Sequence, residues 1–227
     1  MSMQERSEGT IVDPQIALAT AEQLLEIKAV SINTREPFHY ASGMLAPLYT
    51  DNRLLISNSK PWHVIIPYYA QVIKEHLRES EVLSGTATAA IPHAAVLAYI
   101  LEMPMVYVRA SKKDHGKKNQ IEGVFEKGQH VLVIEDLVST GNSMGDNVIA
   151  IREAGGIVTH CLAITTSTIS AFEQTVKDLN ITLVTLTNIQ TVVEVAKEKG
   201  YITAEEQIIV EKFLANPKAW GKAMGFE

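Results

Sequence analysis

Glu135 and Asp136 stand side by side between four apolar residues, Val131-Leu-Val-Ile134, and a run that ends in Ser139-Thr-Gly-Asn-Ser143. An apolar run of that kind is how a buried parallel strand reads, expected here over Val131 to Glu135. Open α/β sheets bind ligands at the carboxyl ends of such strands. Backbone N–H groups of the small-residue turn, with a helix expected from Met144 to Glu153 behind them, form a cup for a phosphate. Carboxylates beside that cup repel a second anion. They suit sugar hydroxyls, which donate hydrogen bonds to carboxylate oxygens. The chemistry implied is the binding of a phosphorylated sugar. The bare pattern could equally be a strand end followed by a helix capped at Ser143. The chain contains neither GxxxxGK[ST] nor GxGxxG, which excludes a P-loop and a dinucleotide fingerprint.

A second cluster lies in Arg109-Ala-Ser-Lys-Lys-Asp-His-Gly-Lys-Lys118, which carries Arg109, Lys112, Lys113, His115, Lys117 and Lys118. Alone, such a run is a solvated charged loop. Beside a sugar-phosphate cup it can close over a polyphosphate and neutralise charge as it leaves. A third small-residue turn, Gly85-Thr-Ala-Thr88, offers the Thr86 and Thr88 hydroxyls to a ligand, or is an ordinary strand-to-helix loop capped by Thr88. His93 reads as a structural histidine, and the seven histidines show no HExxH or other metal spacing. Cys161, the single cysteine, reads as a small buried hydrophobe.

These groups need a scaffold. With 227 residues, 46% of them hydrophobic, the chain can bury one sizeable core. Strand patterns at 81–85, 105–109, 131–135, 157–165 and 181–186 alternate with helix patterns at 13–30, 61–79, 89–102, 144–153, 168–179, 188–199 and 203–214. Asp13-Pro14 reads as a cap plus first helical residue, and Gly200 as a helix stop. Such alternation predicts an α/β protein: a mostly parallel five-stranded sheet flanked by helices. Residues 1–60 read as an N-terminal helix and small hood, the hood from Phe38 to Ile56, and 61–227 as the core of one structural domain overall. A net charge of -6 and a pI near 5.7 argue against a nucleic-acid partner. The longest apolar region, Ile91 to Val108, is broken by Pro92, His93, Glu102 and Pro104, so no membrane span is expected. One cysteine cannot form an internal disulfide, and a cytoplasmic setting is expected.

Together these residues resemble the type I phosphoribosyltransferases, and more closely the orotate phosphoribosyltransferases. The segment Glu135-Asp-Leu-Val-Ser-Thr-Gly-Asn-Ser143 is similar to the family's phosphoribosyl pyrophosphate (PRPP) motif, shared by many members. Arg109…Lys113-Asp-His115-Gly116 is similar to the catalytic loop of the orotate enzymes. Phe38-His-Tyr-Ala-Ser42-Gly43…Pro47-Leu-Tyr49-Thr-Asp51-Asn52-Arg53 resembles their hood. Gly85-Thr-Ala-Thr88 and Asn119-Gln-Ile-Glu-Gly123 resemble the subgroup common in Gram-positive bacteria. The chain departs from some members at Ala41 and Ala110, where they carry basic residues, and at Thr165-Thr-Ser-Thr168, where they place an arginine. The resemblance implies transfer of ribose 5-phosphate from PRPP to orotate in de novo UMP synthesis, with Mg²⁺ held largely by substrate and water. It implies PRPP contacts from Arg109, Lys112, Lys113, His115, Glu135, Asp136, Leu137, Val138, Ser139, Thr140, Gly141, Asn142 and Ser143. Lys113, Glu135 and Asp136 would be catalytic, and Ser139 and Arg53 would face orotate. It further implies a homodimer whose loop crosses to the neighbouring subunit. A purine-base phosphoribosyltransferase is one alternative, but should lack the Lys-Asp-His-Gly loop. A non-catalytic nucleotide- or RNA-binding regulator is another, and the acidic pI counts against it.

Overall fold

Alternate residues of each long strand feed opposite sides of the sheet, because successive side chains of a strand point to opposite faces. Leu83, Leu132 and Ile134 enter one apolar cluster; Val82, Val131 and Val133 enter another. A computed structural model describes residues 10–40, 42–110, 120–167 and 172–226. Lys112, Lys113, His115, Lys117 and Lys118 lie outside the described residues, as do Ala41 and Thr168.

The strands of the main sheet are β1 (Thr10–Ile11), β6 (Val82–Thr86), β7 (Met105–Val108), β8 (Ile121–Glu122), β9 (Val131–Val138), β10 (His160–Thr166) and β11 (Thr182–Thr185). They lie in the order β1-β11-β10-β9-β6-β7-β8. The five long strands are the parallel ones expected. Two edge strands of two residues each raise the count to seven; segments that short carry no readable period. β8 is antiparallel to β7, with Val108 opposite Ile121. Around it Arg109 N donates to Gln120 O at 3.0 Å and Gln120 Nε2 to Arg109 O at 2.8 Å. Arg109 and Gln120, on either side of the residues outside the description, are thereby held together.

One face is covered by α1 (Pro14–Glu26), α2 (Ser59–His76), α3 (Ile91–Leu101) and α6 (Ile189–Glu198); the other by α4 (Asn142–Glu153) and α5 (Glu173–Leu179). Asp13 caps α1 by accepting from Gln15 N and Ile16 N, as its place before Pro14 predicts. α1 ends at Glu26, short of the expected 30, because Val30 leaves it to pair with Thr50. The hood is two ribbons, β2 (Val30–Ile32) with β5 (Leu48–Thr50) and β3 (Phe38–His39) with β4 (Leu45–Ala46), then a 3₁₀ helix over Asn52–Ser57. After α7 (Ala204–Ala215) comes a helix not expected from the sequence, α8 (Pro217–Ala223). Its Trp220 is buried edge-on against Phe213 and donates Nε1–H to Ile209 O at 3.1 Å. α8 packs against hood strand β4. No helix among the described residues is long and apolar enough to cross a membrane.

From β6 the chain winds outward through α3 to β7; from β9 it winds the opposite way through α4 to β10. Strand order reverses between β6 and β9, and the crevice at their carboxyl ends is where such sheets take ligands.

Candidate active site

Thr86 ends β6 and Glu135 stands across the crevice on β9. β9 runs on to Val138, so Asp136, Leu137 and Val138 belong to the strand and the turn proper is Ser139 to Gly141. Hydrogen bonding to Thr165 and Thr166 of β10 carries the strand that far. α4 begins at Asn142, two residues earlier than expected, after Gly141 in the left-handed region at φ +80°. No side chain caps it. The expected cap at Ser143 is absent because Ser143 already lies in the first turn.

Glu135, residues 137–143 and Met144 line a cup of about 40 Å³. Ser139, Thr140, Asn142 and Ser143 are exposed while Gly141 is buried. A Cβ at Gly141 would sit 3.2 Å from Thr175 Cβ and 3.3 Å from Phe172 Cβ, so space and backbone angle both require glycine. Gly141→Ala is expected to lower stability by about 1–2 kcal/mol and to raise KM for a phosphorylated sugar more than tenfold. Thermal melts and saturation kinetics check it; native values in both would show a tolerant turn.

Asn147 on α4 links that helix to β6. It accepts from Ser84 Oγ at 2.8 Å, and its Nδ2 donates to Thr86 Oγ1 at 2.8 Å. Thr86 in turn hydrogen-bonds the Glu135 carboxylate. The peptide joining Ala87 to Thr88 is cis. Thr88 does not cap α3, whose N-cap is Ala90 without a side-chain bond, and Thr88 stays exposed.

Strand alternation sends the two carboxylates apart, Glu135 toward α4 and Asp136 toward the hood. Both are buried, at 5% and 8% exposure. Burial pushes Glu135 up to about 8, with repulsion from Asp136 adding; hydrogen bonds from Thr86 and the Asp136 backbone oppose it. Burial pushes Asp136 up to about 6 against backbone N–H bonds and the Arg53 charge. Such a pair favours neighbours that donate hydrogen bonds or bring positive charge. The oxygen donors suit a hard divalent cation sharing its shell with substrate and water. Among the described residues no group of three or more His, Cys, Asp or Glu is placed to hold a metal ion.

Arg109 lines a second cavity of about 50 Å³ with Thr86, Ala87, Ser143 and Asp146, which joins it to the cup. Its guanidinium faces Glu122 at 3.4 Å. Arg53, expected to face orotate, donates to both Asp51 oxygens, at 2.6 and 2.8 Å, an ion pair within the hood. His93 is buried, stacked 4.9 Å from Trp62 and depressed to about 4 by burial, hence a neutral core residue at physiological pH. Cys161 is buried and free, its thiol pushed far up by the apolar surroundings. The sequence did not single out Tyr69 or Asn147, which no local pattern marks, and gave Asn52 only as part of the hood segment; their bonds to the site span 61 to 84 residues.

Comparison with known proteins agrees with this geometry. Residues 63–197 match the model of the phosphoribosyl transferase domain family. An orotate phosphoribosyltransferase of Listeria innocua is 48% identical over 202 residues, 89% of this chain and 97% of that protein. One from Coxiella burnetii is 44% identical over 207 residues, 90% and 98% of the two chains. The solved orotate phosphoribosyltransferase of Aeropyrum pernix is 30% identical, covers 81% of this chain and 99% of its own, and superposes with a TM-score of 0.69. The chain belongs to the orotate phosphoribosyltransferase family, with the type I phosphoribosyltransferase fold.

Proposed function

We propose that this protein transfers ribose 5-phosphate from PRPP to N1 of orotate, giving orotidine 5′-phosphate and pyrophosphate. One observation carries the reading: the uncapped α4 N-terminus and buried Glu135 share one cup at the point where strand order reverses, with buried Asp136 next to Glu135 on β9. Residues Ser139 to Ser143 grip the 5′-phosphate through backbone N–H groups and hydroxyls, with Leu137 and Val138 forming the wall. Glu135 and Asp136 accept hydrogen bonds from the ribose hydroxyls or from cation-bound water. Their charge favours positive charge at C1 as its bond to pyrophosphate breaks and the bond to orotate N1 forms.

Arg109 stands beside the cup, and Lys112, Lys113 and His115 follow it on the segment that closes over the departing pyrophosphate; Lys113 is the foremost of them. Ser139 borders the base as well as the phosphate, and Arg53 lies on the hood side of Asp136. Mg²⁺ would be held largely by substrate and water, with Glu135 and Asp136 accepting from its bound water, and would supply positive charge to offset the leaving group. The family resemblance supports a homodimer in which each subunit's loop serves its partner's cup. The lone, buried thiol of Cys161 supports a reducing, cytoplasmic setting.

The test is consumption of orotate, followed by ultraviolet absorbance, with PRPP and Mg²⁺ present. Adenine, guanine, xanthine and uracil are run alongside. Orotate should be used at least 10²-fold faster than any of them, since a site built for polar groups leaves them unpaired with the wrong base. Faster use of a purine would assign a purine enzyme, and no turnover of any base a binding protein.

A further inference from the structure

The backbone of the acid pair is held by two side chains from distant elements. Tyr69, fully buried on α2, donates its hydroxyl to the carbonyl oxygen of Glu135. Asn52, 1% exposed at the start of the 3₁₀ helix, donates Nδ2–H to the carbonyl oxygen of Asp136 at 2.6 Å. β6 pairs with β9 only as far as Ile134, so that edge of β9 loses its ladder at the acid pair. Side chains take over as donors there.

Among the described residues the Asn52 Oδ1 is buried without a hydrogen-bond partner, so the side chain's one bond is the one that holds the Asp136 backbone. Its neighbours address the same residue: Arg53, held by the two bonds it donates to Asp51, places its charge within reach of the Asp136 carboxylate. Three consecutive hood residues thus act on Asp136, one through its backbone, one through its charge and one by holding that charge in place.

We infer that Asn52 and Tyr69 are positioning residues for the transferase reaction, fixing the peptides that follow Asp136 and Glu135 so that each carboxylate meets the sugar, Asn52 acting through Asp136 and Tyr69 through Glu135, and that Asn52 couples the hood to the ribose site. The inference rests on the reading that Glu135 and Asp136 hold the ribose. It assigns neither Asn52 nor Tyr69 a contact with substrate.

A double-mutant cycle tests it. Asn52→Ala, Asp136→Asn and the double variant are measured for kcat and for KM toward each substrate, with a thermal melt of each. Asn52→Ala should lower kcat/KM for PRPP about tenfold and leave KM for orotate within about twofold. In the Asp136→Asn background the same change should cost less than about twofold, because its route to the reaction is gone. Equal losses in both backgrounds, or a rise in orotate KM alone, would overturn the inference. Native kcat/KM in Asp136→Asn by itself would remove the ribose reading and this inference with it. If Asn52→Ala does not fold, Tyr69→Phe combined with Glu135→Gln gives a parallel cycle, and multiplicative losses there are equally fatal.

Discussion

Glu135→Gln is expected to reduce turnover by about 10²–10³-fold and, at the same time, to make the unliganded protein more stable at alkaline pH. Both effects have one cause. Burial holds the Glu135 carboxyl near 8, against an ordinary 4.5. Between those values the native state keeps a proton that the unfolded chain has released. Stability from this position is therefore fully present below pH 4.5 and falls as pH rises to 8. Glutamine has nothing to ionise and escapes that loss. The two proteins should melt together near pH 4.5, and the variant should lead by about 4–8 °C at pH 8.5, on the order of 2 kcal/mol. Native kcat/KM for PRPP should rise with pH through the range 6 to 8 set by Asp136 and Glu135, and the variant should lose the upper step. A variant less stable than native at pH 8.5 would show that the carboxylate is well paired, contrary to the geometry.

Lys113→Ala should cost about 10²–10³-fold in kcat through loss of one transition-state charge contact, with little change in melting temperature. Lys112→Ala should cost less than tenfold. Native turnover in Lys113→Ala would remove the assignment. The same variant reads subunit sharing. Mixed with Glu135→Gln protein and allowed to exchange subunits, it forms heterodimers in which one of the two sites is free of both substitutions, if the loop crosses the interface. About a quarter of native activity should return from two inactive parents. No recovery after verified exchange would confine each loop to its own subunit.

Much of this molecule was readable in short stretches of chain. Val131 to Ile134 announced a strand buried on both faces, and Asp13-Pro14 announced where α1 starts. Gly200, at φ +74°, marks the end of α6 as expected. Elsewhere local pattern and structure part. Ser143 and Thr88 have the chemistry of helix caps yet cap nothing. The α4 N-terminus is left without a side-chain cap, and α3 begins after the Ala87–Thr88 turn. Two-residue strands such as β1 and β8 are defined by their partners, so no window of sequence contains them.

Residue type and spacing along the chain were enough to set the fold class and to mark the small-residue turn, the acid pair and the basic segment. Each depends on groups within ten or so residues of one another, whose chemistry and periodicity are local. Only the assembled structure decided that Glu135 and Asp136 face opposite ways, that both are desolvated enough to resist ionisation, and that Tyr69 and Asn52 hold their backbone. Those properties come from atoms brought together across 66 and 84 residues of chain, and burial and hydrogen-bond direction exist only once the chain has closed on itself.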